Sequence, residues 1–349
     1  MIKSVNLQDF RNFGRKYLVF SENLTVIIGP NASGKTNIME SLFLLSTGRS
    51  FKARVEEEMI NYKKDLARVK GLITGGTILE TVITRGLIDI GAVRPEKVAR
   101  KKLLINGVPK RLIDFSGNLK TVLFGPWDMD LVTESPSLRR KFLDTVLSQV
   151  DREYRRSILS YEKGVRQRNK LLFQIREEGA SRSQLVFWNQ LLIRNGDYIT
   201  KKREEFIEFI NKLPSLNDQK FKLEYDRSVI SDGRLEQYKD EEVAAATTLV
   251  GPHRDDFIFR EEDRDLAAYG SRGEQRMGIL WLKMAELAFI EEKSGEKPTL
   301  LLDDIFSELD HEHREVVMNL TKNQQTIITT ADPHFIGNLK KVEKIDLGY

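Results

Sequence analysis

The stretch Gly29-Pro30-Asn31-Ala32-Ser33-Gly34-Lys35-Thr36 is the part of this chain whose residue types and spacing spell out a chemistry most directly. It fills every fixed position of G-x-x-x-x-G-K-[ST], a pattern whose glycines let consecutive backbone N–H groups face a phosphate. Lys35 is placed to reach β- and γ-phosphates, and the Thr36 hydroxyl to take one position on Mg²⁺. Asn37, next in line, joins these residues as a nucleotide contact. The flanks agree with the loop. Leu24–Ile28 is a short apolar β run, and Lys35–Leu45 reads as a helix with Ile38, Leu42 and Leu45 on one face. A helix N-terminus at that point adds its dipole to the anion socket.

The acid that such a loop needs lies near the other end of the chain. Thr299–Leu302 reads as a buried strand that ends in Asp303-Asp304. A carboxylate at such a strand end, beside a phosphate loop, holds Mg²⁺ directly or through water, and Asp303 is assigned that role. Asp304 points to the opposite side of the strand axis and could orient an attacking water or accept its proton. Ser271-Arg272-Gly273-Glu274-Gln275 opens a helix expected to run to about Glu292, and its serine-led tip makes a second anion socket. One chain cannot easily fold both sockets onto one γ-phosphate. The pattern makes sense if Ser271–Glu274 closes over nucleotide held by a second copy, with Ser307-Glu308-Leu309-Asp310 at the same two-fold seam.

Composition bounds the rest. The chain has 349 residues, enough for about two domains. It has no cysteine, which excludes disulfides, thiolate metal sites and thiol nucleophiles and fits a reducing cytosol. Met1 opens directly on a strand-like pattern, so no secretory leader is expected. No run approaches the roughly 18 apolar residues of a membrane span, and the expected location is cytoplasmic. The net charge of +4 balances 56 basic against 52 acidic residues, so a nucleic-acid partner must be argued from where charges lie.

Around the nucleotide strand the pattern is of short strands. Ile2–Phe10 and Lys16–Phe20 are joined by a turn at Arg11–Gly14. Leu66–Ile73 and Ile78–Leu87 flank Gly75-Gly76, Lys102–Ile105 ends at the hairpin signal Asn106-Gly107, and Thr121–Phe124 closes the set. After Pro126, Ser137–Gln149, Asp151–Glu178 and Ser183–Lys212 read as helices too short for a long coiled-coil arm, and Phe221–Ile230 returns to strand. The expected fold class is α/β, a P-loop ATPase head with an antiparallel β subdomain and a mostly helical second lobe. Residues 1–125 with 297–349 form the ATPase lobe, and 126–296 the helical lobe carrying the Ser271 motif.

Phosphate loop, serine-glycine motif, acidic strand end and Ser307–Asp310 follow in the order found in ABC-type ATPases. The finer segments resemble the RecF family of bacterial recombination mediators. They are Asp9-Phe10-Arg11-Asn12-Phe13, Gly48-Arg49-Ser50-Phe51, Ser135-Pro136 through Arg139–Asp144, Gln167-Arg168-Asn169, Gly251–Asp256 and Asp303–Asp310, spread over essentially the whole chain. The resemblance implies a cytosolic protein that binds ATP with Mg²⁺, forms ATP-dependent homodimers and binds duplex, gapped or junction DNA without sequence preference. It also implies work with RecR- and RecO-type mediators to load the strand-exchange protein RecA at single-strand gaps. A weak DNA-stimulated ATPase is one reading of its chemistry, and a nucleotide-gated scaffold with negligible hydrolysis is the other. Arg11 and Asn12 are the candidates nearest the adenine.

The chain departs from the family pattern at three points. Asp128 stands beside Trp127 where the family has Pro-Glu-Asp-Leu, Glu274 stands where Gln is commoner, and Thr329-Thr330-Ala331-Asp332 offers no switch histidine, with His334 three residues late. The last departure, with Asp at 304, suggests slow hydrolysis. For DNA phosphates the candidate clusters are Arg94–Lys102, Lys110-Arg111, Arg139-Arg140-Lys141 and Arg166-Arg168-Lys170. A transporter motor would carry its serine motif soon after the phosphate loop, whereas most of this chain separates Thr36 from Ser271.

Overall fold

The computed structural model of the chain describes residues 1–88, 96–307, 311–332 and 342–348, so that Arg94, Glu308–Asp310 and His334 lie outside the described residues. The chain divides into two units, Met1–Asp128 with Ile290–Tyr349, and Met129–Phe289.

Among the described residues the first unit contains two large sheets. One is six-stranded and antiparallel, in the order β2-β1-β4-β5-β8-β9. Its strands are β1 (Ile2–Phe10), β2 (Phe13–Val19), β4 (Leu66–Ile73), β5 (Ile78–Thr84), β8 (Lys101–Ile105) and β9 (Val108–Lys110). The other runs β10-β14-β15-β3-β16, with every pair parallel. It is built from β3 (Leu24–Ile28), β10 (Thr121–Phe124), β14 (Thr299–Asp303), β15 (Thr326–Thr330) and β16 (Glu343–Asp346). A two-residue pair, β6 (Leu87–Ile88) with β7 (Glu96–Lys97), stands apart. The short helix α2 (Leu112–Phe115) follows β9.

Period-two alternation explains the first sheet: Val5, Leu7, Ala67, Val69, Leu79, Ile83 and Leu103 are buried on one face while Asn6, Arg68, Lys70 and Lys102 are exposed on the other. Strands β3, β10 and β14 instead read as nearly continuous apolar runs buried along their length, β15 buries threonines beside its isoleucines, and the edge strand β16 is largely exposed. Helix α1 (Lys35–Thr47) packs against strands of both sheets. It comes so close to β4 that a Cβ on Gly71 would lie 2.5 Å from a Leu45 methyl. Asn106 and Gly107 both adopt positive φ, the requirement of a two-residue hairpin whose twist matches its strands. Phe10 pairs with Phe13, so the first hairpin turns on Arg11-Asn12 alone, and β2 starts before the expected Lys16.

In the second unit, α3 (Asp130–Thr133) precedes three longer helices, α4 (Pro136–Val150), α5 (Arg152–Glu178) and α6 (Leu185–Asn211). They pack with a three-stranded antiparallel sheet of β11 (Phe221–Asp226), β12 (Asp256–Glu261) and β13 (Arg264–Asp265). The helices α7 (Asp232–Gln237), α8 (Lys239–Ala245) and α9 (Leu266–Tyr269) are short. Helix α10 (Arg272–Ser294) starts in this unit and ends in the first, where α11 (His311–Leu320) also lies. Strand β11 stops at Asp226, before the expected Ile230, because the Ser228 N–H leaves the ladder to donate to Asp255 Oδ1 at 2.7 Å.

Beside an apolar core that includes Phe142, Phe206, Phe257 and Phe289, this unit buries a polar network. The Arg203 guanidinium is buried and donates to Asp144 at 2.9 Å, to Asp255 at 2.8 Å and to the Pro252 carbonyl at 2.7 Å. Arg139 makes a two-pronged pair with Asp256, at 2.6 and 2.9 Å. Buried Arg168 pairs with Glu242 at 2.6 Å and also reaches Asn189 and Thr248. These arginines are therefore committed to partners inside the unit. Of the clusters offered as DNA contacts, Arg139-Arg140-Lys141 and Arg166-Arg168-Lys170 lose their central members to internal pairing, since Arg140 also donates to the Asp255 carbonyl. Truncating one partner of such a buried pair strands the other charge, at about 3–5 kcal/mol.

His253 belongs to the same network. The Thr248 carbonyl can only accept, so His253 Nε2 carries the hydrogen that meets it at 3.0 Å, and Nδ1 accepts from the Tyr161 hydroxyl at 2.9 Å. Burial pushes the imidazole pKa down to about 4, against 6.5 in the unfolded chain. The unfolded chain therefore takes up the proton first. Stability is complete above pH 6.5 and falls as pH drops from there towards 4. In urea titrations the wild type should lose about 2 kcal/mol through this group between pH 7.5 and 5. His253→Gln should not show that loss; an equal loss in both proteins would rule the assignment out.

Candidate nucleotide site

The glycine loop leaves the end of β3 in a conformation that L-residues with side chains resist. Ala32 and Gly34 both have positive φ, 67° and 104°, and this alternation turns successive N–H groups to one side as an anion nest. A Cβ on Gly34 would lie 2.6 Å from the Phe13 ring and 2.7 Å from the Asn12 amide, so only glycine lets the β1–β2 hairpin close on the loop. The Lys35 ammonium is held inside the loop by the Gly29 and Pro30 carbonyls, at 2.8 and 3.0 Å. Buried Ser33 Oγ has no hydrogen-bond partner among the described residues, and a phosphate oxygen would satisfy it.

Thr36 and Asp303 meet. The Thr36 hydroxyl lies near enough to the Asp303 carboxylate to favour its charged form, and Thr329 Oγ1 donates to Asp303 Oδ1 at 2.6 Å. Burial raises the Asp303 pKa, and those two hydroxyls work against the rise. A hydroxyl beside a carboxylate is a hard-oxygen pair that suits Mg²⁺, an ion that retains several waters and takes further oxygens from phosphates. Among the described residues no group of three or more His, Asp or Glu side chains could cage a metal on its own. Strand β14 ends at Asp303. Asp304 is therefore placed by a left-handed turn, φ 51°, and not by strand alternation as the sequence implied. Its N–H donates to Thr329 Oγ1 at 3.0 Å and to the Thr329 carbonyl at 3.3 Å.

Arg11 and Asn12, the adenine candidates, are first of all staples. Arg11, with positive φ at the hairpin tip, forks onto Glu40 at 2.6 and 2.7 Å and donates to the Glu58 carbonyl at 2.6 Å. Glu40 is fully buried on α1 and also accepts from Ser50 Oγ at 2.5 Å. Asn12 donates to the Ser33 carbonyl at 3.0 Å and accepts from Asn37 at 2.8 Å. The hairpin, the phosphate loop and the Gly48–Phe51 segment are thus fixed to one another. Phe51 completes the clamp by stacking on Trp127 at 4.8 Å and meeting Phe43 edge-on. Beside this clamp lies a cleft of about 620 Å³ lined by Arg11, Asn12, Asn37, Lys52, Tyr62 and Arg85, among others. Sequence reasoning missed Glu40, Thr329 and this cleft. A lone carboxylate among Ile38, Met39 and Leu42 signalled the first, since a buried acid requires a partner.

Asp128, the stand-in for the family's acidic loop residue, is buried and accepts the Gly125 N–H at 2.8 Å, which closes its own turn. Ser271, Arg272, Gly273 and Glu274 lie in the second unit, at the start of α10. Ser271 N–H donates to Glu274 at 2.6 Å and Glu274 N–H to Ser271 Oγ at 3.3 Å, a reciprocal capping box. The Ser271 backbone N–H is the main reason the Glu274 carboxyl sits below its usual pKa range. Of the residues expected at a two-fold seam, Ser307 ends a short 3₁₀ turn, Ile305–Ser307, and Glu308–Asp310 lie outside the described residues.

The family model described as RecF/RecN/SMC N terminal domain matches residues 1–347. The DNA replication and repair protein RecF of Herpetosiphon aurantiacus is 34% identical, with 98% of this chain and 97% of that one covered. The RecF of Lachnoclostridium phytofermentans is also 34% identical, over 99% and 97%. A solved structure of the recombination mediator protein RecF with ATP, in the RecFOR pathway, superposes with a TM-score of 0.87 at 30% identity, covering 100% of this chain and 96% of that one. The Smc head domain of Pyrococcus yayanosii shares the fold, with a TM-score of 0.54 at 14% identity over 98% and 94% of the two chains.

Glu40→Ala should leave the Arg11 guanidinium without its carboxylate and destabilise the first unit by about 3 kcal/mol. Chemical denaturation measures this, and a change below about 1 kcal/mol would mean that the fork contributes no more than a surface pair.

Proposed function

The chain belongs to the RecF family, and on that premise we propose that it is an ATP-fastened dimeric clamp of recombinational repair. It grips duplex DNA near single-strand gaps and, with RecO- and RecR-type mediators, promotes loading of RecA. The observation that carries this reading is the placing of Thr36 beside Asp303, next to a loop whose left-handed residues and Ser33 hydroxyl, unpartnered among the described residues, suit a triphosphate. In this reading Gly29–Thr36 cradles the phosphates, with Lys35 exchanging its two loop carbonyls for the β- and γ-phosphates. Asn37 and the cleft beside Arg11 and Asn12 take the nucleoside half. Thr36 and Asp303 hold Mg²⁺, which when bound neutralises charge on the phosphate oxygens.

Asp304 orients the water that attacks the γ-phosphate. Ser271–Glu274, carried by the other unit of the chain, reaches the γ-phosphate of a second copy. Each γ-phosphate then bridges two subunits, and hydrolysis removes the bond between them. Turnover is slow and is stimulated by DNA. Ser271→Arg should bind nucleotide as the wild type does yet sediment as a monomer with ATP. Dimers in that variant would exclude the assignment in trans.

For DNA, the reading favours the outward face of the six-stranded sheet, since the central arginines of the helical clusters are paired internally. Cross-strand register puts Arg15, Gln8, Arg68, Val82 and Lys102 in one row, and Tyr17, Asn6, Lys70 and Glu80 in the next. Arg15, Arg68, Lys70 and Lys102 are exposed, and Glu80, 3.3 Å from Arg68, is the acid in these rows. Alternate strands lie about 10 Å apart, so the row offers cations at a spacing suited to successive phosphates. Changing Arg15, Arg68 and Lys102 together to Glu should lower duplex affinity and flatten its dependence on log salt by about 0.9 per lost phosphate contact. ATP binding should be retained. An unchanged salt slope would move the contact elsewhere.

A further inference from the structure

Thr329 stands at the end of β15, in direct register with Asp303 at the end of β14. It lies beyond the acidic pair and beyond the phosphate loop, and its side chain is completely buried, so no water competes for its hydroxyl. An amide can only donate, so the Asp304 N–H, 3.0 Å away, fixes Thr329 Oγ1 as an acceptor on that side. The single hydroxyl hydrogen is then free to point at Asp303 Oδ1, 2.6 Å away. One oxygen thus serves two neighbours with opposite demands.

We infer that Thr329 is the positioning residue of this site. Its hydroxyl aims the Asp303 carboxylate at Thr36 and pins the left-handed backbone that turns Asp304 out of the strand. The inference deepens the nucleotide reading above and rests on it. Two features make Thr329 more than filler. Valine has the same shape and would fill the same volume, so only the hydroxyl distinguishes them. Without it, Asp303 loses its 2.6 Å hydrogen bond and has the neighbouring Thr36 hydroxyl to favour its charge. The Asp304 N–H, on a left-handed residue, then loses its shorter contact, 3.0 Å, while the 3.3 Å contact to the Thr329 carbonyl remains. A group that orients a metal-binding carboxylate acts chiefly on metal affinity, typically by ten- to a hundredfold. It should leave contacts between the loop and the phosphates nearly intact.

The test uses the whole chain and a fluorescent, non-hydrolysable ATP analogue, so that binding is read without turnover. Affinity is measured first in EDTA and then across a Mg²⁺ titration, for wild type, Thr329→Val and Thr329→Ser. Thr329→Val should match the wild type in EDTA to within about twofold and need on the order of tenfold more Mg²⁺ for half-maximal tightening. Thr329→Ser, which keeps the hydroxyl, should return the Mg²⁺ requirement to near the wild-type value. If Thr329→Val does not fold, Thr329→Ala against Thr329→Ser makes the same comparison. An unchanged Mg²⁺ requirement in the valine or alanine variant overturns the inference, as does an equal loss of affinity in EDTA, which would make Thr329 merely structural. A wild type that binds no analogue at any Mg²⁺ concentration would instead overturn the nucleotide reading, and this inference with it.

Discussion

The first unit depends on one constraint, that a loop of backbone N–H groups must be held open and pointing inward. A short loop left to itself relaxes, because positive φ at Ala32 and Gly34 is unfavourable for ordinary residues and entropically costly for glycine. Here the hairpin tip clamps it. Asn12 takes the Ser33 carbonyl and Phe13 lies against Gly34, while Arg11 is locked to buried Glu40 on the helix that the loop opens. The clamp is charge-assisted and two-pronged, the strongest class of side-chain hydrogen bonding. Its parts come from three separated stretches of chain, so the loop's geometry is a property of the folded unit.

The same economy governs the acids. Parallel register places Asp303 beside Thr329 with no freedom to shift, because a one-residue slip would turn every side chain of a fully buried strand to the wrong face. The ends of β14 and β15 thus each set a polar group at the acidic end of the sheet. One contributes a carboxylate and the other a hydroxyl that steers it. Fixing donors and acceptors before any ligand arrives is the general route to tight and selective handling of phosphate charge.

In the second unit, arginine does structural work. Arg203, Arg168 and Arg139 spend their guanidinium groups on Asp144, Asp255, Glu242 and Asp256, with tyrosine hydroxyls filling remaining sites. Burial raises the pKa of Tyr154 and Tyr161, so both hydroxyls stay protonated and able to donate. A buried polar network of this kind penalises mispairing, since each unpaired group costs its full desolvation energy. The segments Arg139–Asp144, Gln167–Asn169 and Gly251–Asp256, distant in sequence, meet in or around this network.

What the sequence determined by itself was whatever local spacing encodes. The phosphate loop, the strand before it, the helix after it, the acidic strand end and the Asn106-Gly107 hairpin all follow from neighbours within a few residues of each other. So did the family, because its motifs are local and ordered along the chain. Tertiary structure alone decided three other things. It withdrew Arg139 and Arg168 from the surface, since pairing with Asp256 and Glu242 joins residues that no local pattern connects. It turned Asp304 through a left-handed residue where strand alternation would have sent it straight on, because Thr329 on a neighbouring strand captures its N–H. And it lined up Arg15, Arg68 and Lys102, which lie on three strands far apart in the chain. Side-chain type and spacing are written along the chain, but a partner across a sheet or a core exists only once the chain has closed on itself.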